Sequence, residues 1–478
     1  MEQPYYKKLM TKRTDTLFMA AIVMLFLLKI ALLFSPIRSE AVITTYFAPL
    51  TVAMIVYLLM RAGIPRKPAL LLPPVFALWF AITRLMNGDW YLRQSSINVY
   101  MVFLSCCVLF IAPSMLSAKQ RTRLMNTIAL VYSLVFSAIA WVAVIAAITG
   151  NPWVNPLDSN SILGINDAYS NPYRLNILNI HPNVSAALFY TALALLCYLF
   201  FHTRRIWLRV LYGLAALGLC VAIILTGSLS AIGISGAILG LALIAVVISR
   251  HRLKTRFIIL VIAAVALAAV GALLLYTPVL QLAHSLQQSV IQQEETVAVD
   301  TAQETSEVAQ TQDDSEAETA AFAQERLQTS SMKSSMNGRL KIYSSAFLSI
   351  ADRPITLVIG ELQQAAMDRS AKVINFPLQN HLHNSFLQTL VVGGGISCLI
   401  ILAFTVLLVI YSIRLFFRKS IPLHQKMLVL VPFALLCHSM LEALLFIDAR
   451  ILNMLFFFIA GMIIVCVEEA SSTAPASR

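Results

Sequence analysis

The sequence is poor in charged residues. Asp, Glu, Lys and Arg make up 12% of its 478 residues, against about 25% in an average soluble domain. Hydrophobic residues make up 59%. Apolar residues at this density form runs of the length that spans a bilayer. The composition excludes an ordinary soluble domain and predicts an integral membrane protein.

Motifs that hold metals or cofactors are also missing. All seven cysteines fall inside apolar runs, and no pair has the spacing of a metal site or of a loop disulfide. There is no P-loop and no glycine-rich dinucleotide turn. No two carboxylates lie together on an outward segment that is predicted to be ordered. The sequence therefore predicts chemistry by its own side chains, with no metal and no cofactor.

Apolar runs recur along the chain and predict an all-α, polytopic membrane protein with about 12 transmembrane helices. A large outward loop separates helices 9 and 10. The predicted segments are 16–36, 42–60, 69–86, 97–116, 125–149, 183–201, 209–226, 229–249, 257–276, 386–413, 427–446 and 450–467.

Basic residues cluster in alternate connections, which explains the net charge of +12 without a nucleic-acid partner. The positive-inside rule places these connections and both termini in the cytoplasm. The predicted organisation is helices 1–5 in 1–149, an outer loop and helices 6–9 in 150–276, a large outer loop in 277–385, helices 10–12 in 386–467 and a cytoplasmic tail in 468–478.

The large outer loop is composite. Its tract 294–325 holds ten acidic residues and no basic one, a composition that predicts disorder. Further on, the tract 339–350 carries Leu340, Tyr343 and Phe347 at helical spacing, which predicts an amphipathic helix.

Polar residues at the end of this loop are the first candidates for chemistry. His381 and His383 precede the tenth segment, and a histidine can act as a general base near neutral pH. The alternative is that Asn384 and its neighbours only cap the helix. Arg339 and Arg174 face outward, where a guanidinium binds either a substrate phosphate in a fork or lipid headgroups.

Other ionisable residues lie within or beside the segments. His438 and Glu442, four residues apart in the eleventh segment, are predicted to share a helix face, with Arg450 as an ion-pair partner of Glu442. Arg84, near Asp89 at the outer end of the third segment, is a candidate for binding headgroups or a substrate phosphate.

Several of these residues occur in the order seen in a known family. Asn337, Gly338 and Arg339, then Tyr343, then the motif His-Asn-Ser-Phe-Leu-Gln at 383–388 and a glycine-rich stretch resemble the O-antigen ligase and polymerase superfamily of the Wzy-C type. The long outer loop between two late helices fits this family as well.

The resemblance implies an inverting, metal-independent glycosyltransferase of the bacterial inner membrane whose active site faces outward. Its partners would be membrane lipids, an undecaprenyl-diphosphate-linked glycan as donor, and a glycan, lipid-core or protein hydroxyl as acceptor. His383 matches the catalytic histidine of the family and Arg339 an arginine that holds the diphosphate, with His381 and Asn384 in support.

One position departs from the family pattern. The family often has Thr-Gly-Ser-Arg between two helices, whereas this chain has Leu229 after Thr-Gly-Ser. Either Arg174 or another outer arginine then holds the diphosphate, or this protein uses a different donor or acceptor.

Two alternatives stay open from the sequence. A ligase and a polymerase share the donor and differ in the acceptor, and the residues do not choose between them. A 12-helix secondary transporter without enzymatic activity is the other class, although the chain lacks the two-fold repeat typical of such proteins.

We expect that deleting residues 294–318 leaves substantial glycan transfer, because the acidic tract has few large apolar residues to fix a geometry. The tract also has the same charge sign as a diphosphate donor. Transfer assays on the membrane-inserted deletion variant test this. A variant that inserts and binds donor, yet transfers no glycan, would place part of the active site in the tract.

Overall fold

The computed structural model describes residues 5–34, 40–62, 68–89, 92–149, 153–155, 158–165, 175–177, 180–250, 332–362, 365, 382–447 and 450–472. The acidic tract 294–325 and the ninth predicted segment, 257–276, lie outside these residues.

Helices make up most of the described chain. A π-helix covers Leu104–Leu109, and a 3-10 helix covers Met427–Val429. The α-helices are α1 (Tyr5–Ala31), α2 (Glu40–Ala62), α3 (Pro68–Met86), α4 (Arg93–Phe103), α5 (Ala112–Met115), α6 (Ala118–Thr149), α7 (Pro182–His202), α8 (Ile206–Leu225), α9 (Leu229–Arg250), α10 (Met332–Asp352), α11 (Thr356–Ile359), α12 (Ser385–Phe417), α13 (Leu423–Lys426), α14 (Leu430–Ser439) and α15 (Ile451–Ser472).

Nine helical stretches in the described residues are long and apolar enough to cross a bilayer. They coincide with nine of the twelve predicted segments, so the chain is a polytopic, mainly α-helical membrane protein. In the second predicted segment, helix α2 covers Glu40–Ala62, and an apolar stretch is described over Ala48–Arg61. The stretches that could span are α1, α3, the run from α4 to α5, α6, α7, α8, α9, α12 and α15.

The eleventh segment differs from its prediction as one helix over 427–446. The chain is helical in short pieces up to Ser439, and then forms a turn over 440–447. The side chains that hold this turn come from other helices. Asn453 accepts the N–H of Phe446 at 2.9 Å, and Phe446 has a positive φ of 73°. Apolar composition continues past the helix end, which is why the sequence alone suggested a longer helix.

A small antiparallel sheet interrupts the all-α pattern. Strands β1 (Trp153–Asn155), β2 (Asp158–Ile165) and β3 (Leu175–Ile177) pair in the order β1-β2-β3. They lie in the connection between α6 and α7 that was predicted as a loop. The sheet therefore sits at the same end of the bundle as the start of α7.

Helix α12 is broken at Gly394, whose φ of 80° and ψ of 169° are not helical. The break is where α11 and Gly360 cross the helix. A Cβ on Gly394 would lie 2.3 Å from the carbonyl oxygen of Val358, and one on Gly360 would lie 2.1 Å from that of Val392. Glycines here thus allow two backbones to touch, and they separate a short first part of α12 from the long apolar part.

Arg84 donates hydrogen bonds to backbone carbonyl oxygens at this break. Its side chain is buried and donates to the carbonyl oxygens of Val392 and of Glu361, and to Asp89 Oδ2 at 2.9 Å. An unpaired carbonyl inside a membrane protein is costly, so the arginine stabilises the broken helix. Arg84 is therefore committed to protein groups rather than to a substrate phosphate or a lipid headgroup.

Helix α15 lies at the centre of the bundle. Every residue from Ile451 to Val467 is buried. Its Phe457 stacks on Phe404 of α12, with ring centroids 5.8 Å apart. Gly461 allows close contact with the π-helix region, since a Cβ there would lie 2.1 Å from the carbonyl oxygen of Phe110. The core of the protein is thus built around this helix.

We expect Gly394→Ala to lower the apparent Tm in detergent by several degrees. The backbone conformation is essentially restricted to glycine and costs about 1–3 kcal/mol for other residues, and the new methyl group would overlap the Val358 carbonyl. Gly233→Ala is the matched control, because nothing lies within 4 Å of a Cβ there. Equal melting temperatures for the two variants would contradict this account of the break.

Candidate functional site

His383 lies two residues before the start of α12 and has an unusual backbone conformation. Its φ is 50°, which is rare for a residue other than glycine. Asn384 caps the helix, and its Oδ1 accepts the N–H groups of Phe386 at 2.9 Å and Leu387 at 3.0 Å. The Asn384 amide also donates to the carbonyl oxygen of Met440. The cap fixes where α12 begins, and so it fixes the position of the histidine.

The carboxylate of Glu442 is the centre of the cluster. His383 Nδ1 lies 3.0 Å from its Oε2. Arg339 Nη2 lies 3.4 Å from Oε1, and Asn183 Nδ2 donates to the same oxygen at 2.5 Å. The Glu442 side chain is 1% exposed. Residues from four separate parts of the chain therefore meet at one buried acid.

The contact with Glu442 bears on the tautomer of His383. An ionised carboxylate can only accept hydrogen bonds. When Glu442 is ionised, the contact at Oε2 therefore takes its proton from Nδ1, and the lone pair of a neutral ring is on Nε2. A histidine held in this way by a carboxylate can take a proton through its second nitrogen.

Tyr343 ties helix α10 to the same cluster. Its hydroxyl lies 3.1 Å from the carbonyl oxygen of His383 and 3.2 Å from that of Met440. Burial raises the pKa of Tyr343, so the phenol stays protonated and donates. Tyr343 and Arg339 are four residues apart, and both therefore reach the cluster from one face of α10.

Ser385 holds the turn that carries Glu442. Its hydroxyl donates to the Glu442 carbonyl oxygen at 3.1 Å, and it accepts the N–H groups of Leu444 and Leu445. One donor and two acceptor sites are the full capacity of a hydroxyl. The first residue of α12 thus sets the position of the acid that contacts His383.

Glu442 follows the end of α14 at Ser439, and its backbone N–H still donates to the carbonyl oxygen of His438 at 2.9 Å, as in a helical turn. The His438 ring is buried, and its Nδ1 lies 3.1 Å from the hydroxyl of Tyr190 in α7. Arg450, predicted as a partner of Glu442, has a guanidinium 3.5 Å from the carbonyl oxygen of Ala443.

Two of the predicted site residues, Arg174 and His381, lie outside the described residues. Leu229, where the family often has arginine, is the first residue of α9 and is half-buried. In the part of the chain that the structure describes, no three His, Cys, Asp or Glu side chains form a group that could hold a metal ion.

A family model described as Wzy_C, O-Antigen ligase, matches residues 219–402. This match confirms the resemblance to the O-antigen ligase superfamily. The matched segment contains Arg339 and His383, but Asn183 and Glu442 lie outside it. Comparison with curated proteins and with solved structures gives no match.

The sequence did not predict the contact between Asn183 and Glu442. Asn183 follows a proline at the start of α7, where an asparagine usually suggests a helix cap. The sequence paired Glu442 with residues close to it along the chain, His438 and Arg450. Both side chains lie at ends of predicted segments on the outward side, and that shared location was the signal that could have linked them.

Proposed function

We propose that this protein transfers a glycan from an undecaprenyl-diphosphate carrier to an acceptor hydroxyl, at the outer face of the bacterial inner membrane. The family match supports glycan transfer of the ligase or polymerase type. The observation that carries the finer proposal is the contact of both His383 and Arg339 with Glu442. A base and a phosphate-binding cation are thereby held next to each other.

His383 is the general base in this proposal. The acceptor hydroxyl loses its proton to Nε2 as its oxygen attacks the anomeric carbon. The imidazolium that forms is stabilised by the adjacent Glu442 carboxylate, whose Oε2 lies 3.0 Å from Nδ1. Attack on the face opposite the leaving group inverts the anomeric centre. The bond between that carbon and the diphosphate oxygen breaks in the same step.

Arg339 stabilises the leaving group. The departing lipid diphosphate gains negative charge, and a guanidinium can bind two of its oxygens in a fork. The Arg339 side chain is 22% exposed, whereas Glu442 is 1% exposed. The arginine therefore reaches the surface of the cluster, where a substrate headgroup can arrive. A diphosphate is a good leaving group, so the proposed reaction requires neither a general acid nor a metal.

The location of the cluster suits a lipid-linked substrate. The start of α7, the end of α14 and the start of α12 meet at one end of the bundle. Basic residues of the predicted connections, such as Arg121 and Arg418, contact the last turns of α15 at the other end. The positive-inside rule therefore supports the cluster end as the outer one. The polyprenyl chain would then stay in the bilayer while its diphosphate reaches Arg339.

We expect His383→Ala to reduce turnover on a lipid-diphosphate-linked glycan by about 100-fold or more, the usual contribution of a general base. The assay is product formation by purified protein in nanodiscs. His424→Ala is the matched control, because that ring packs on His202, with centroids 4.8 Å apart, away from the cluster. His381→Ala should be milder. Wild-type turnover by the His383 variant would remove this residue from the mechanism.

We expect Arg339→Lys to impair donor binding nearly as much as Arg339→Ala. Lysine keeps the positive charge but cannot bind two phosphate oxygens in a fork. The measurement is the donor Kd in nanodiscs. Lys341→Ala is the control, since it removes an exposed positive charge from the same helix. If Arg339→Lys binds donor as wild type does, the fork geometry has no role.

A further inference from the structure

Asn183 lies in the first turn of α7, but another residue caps this helix. His181 is the N-cap, and its Nδ1 lies 3.3 Å from the backbone nitrogen of Asn183. The side chain of Asn183 instead crosses to Glu442, 259 residues further along the chain, and Nδ2 donates to Oε1 at 2.5 Å. Asn183 therefore does not serve mainly to begin its own helix.

The two oxygens of Glu442 have different partners. Oε2 faces His383, and Oε1 is shared by Asn183 and Arg339. The two donors on Oε1 differ in charge and in distance. The amide is neutral and lies at 2.5 Å, whereas the guanidinium is charged and lies at 3.4 Å. Of these two groups, the neutral amide of Asn183 is thus the closer to Oε1.

This difference matters once a donor binds. A diphosphate competes with Glu442 for the Arg339 guanidinium, because both are anions. When the arginine turns toward the diphosphate, its hold on Oε1 weakens, and the amide of Asn183 remains. A neutral donor can orient the carboxylate without attracting the substrate diphosphate. Glu442 then keeps its position against His383 while Arg339 serves the leaving group.

We propose that Asn183 is a positioning residue that holds Glu442 against His383 during the reaction. The proposal rests on the proposed function, because it assigns Asn183 a role in orienting the base. Its role in this account is to hold Glu442, whose Oε2 contacts His383.

Asn183→Ala tests the loss of the amide. We expect turnover to fall by about 10- to 100-fold, because small displacements of a catalytic group are costly. The donor Kd should stay within about twofold of wild type, because Arg339 still binds the diphosphate. A loss of donor binding with unchanged turnover would overturn the proposal.

Asn183→Asp gives a pH-dependent test. Two carboxylates at this distance share a proton, which raises the pKa of one of them above its ordinary value. Below that raised pKa, the introduced carboxyl group is protonated and can donate to Oε1 as the amide does. Above it, the two carboxylates repel each other and Glu442 leaves its position. We therefore expect the activity of this variant, divided by wild-type activity at the same pH, to fall as pH rises.

Division by the wild-type value removes the pH dependence that the variant and the wild-type protein share. Asn183→Ala also loses the amide but gains no carboxyl group, so its ratio is the baseline against which the fall for Asn183→Asp is measured. Asn87→Asp is the matched control, because the Asn87 amide lies at the same end of the bundle and donates to the carbonyl oxygens of Thr83 and Ile359. Its ratio should be constant. A ratio for Asn183→Asp that is constant or rises with pH overturns the proposal.

His383→Ala, measured in the same series, separates the two hypotheses. If His383→Ala loses turnover while the Asn183 variants behave as wild type, only the positioning role fails. If His383→Ala keeps turnover, the proposed function fails, and the role of Asn183 fails with it. Thermal unfolding of each variant in detergent shows whether the measured protein is folded.

Discussion

The buried carboxyl group of Glu442 is the constraint on which the site depends. A carboxylate removed from water is costly unless hydrogen-bond donors and positive groups surround it. Here the contacts come from α7, from α10 and from His383, two residues before α12. Meeting that requirement brings these parts of the chain together. The same contacts that stabilise the acid therefore also assemble a base and a cation beside it.

The break in α12 is a second constraint. It allows one long helix both to cross the bilayer and to change direction near its start. Gly394 interrupts the helix, and Arg84 satisfies the carbonyl that the break exposes. The short first part of α12 is then held at both ends. Ser385 binds the turn that carries Glu442, while Val392 binds the arginine of α3. The position of His383 thus depends also on α3, through the contact of Arg84 with the break in α12.

The sequence predicted the spanning helices well because bilayer thickness requires about 20 apolar residues for each helix. It did not predict the end of α14, because Leu444 and Leu445 continue the apolar pattern while Ser385 captures their N–H groups. His383 and Arg339 were singled out from an ordered motif. Glu442 was named as well, but not as their common partner, because contacts between residues 59 and 103 positions apart leave no local spacing in the sequence.

The enclosed position of α15 has a consequence for biosynthesis. This helix is synthesised after all the other described helices, yet its residues Ile451–Val467 are buried among them. The earlier helices must therefore leave the centre of the bundle open until α15 leaves the ribosome and enters the membrane. The final packing, including the turn that Asn453 fixes at Phe446, can form only at that late stage. Packing around α15 is therefore the last step in the assembly of the described helices.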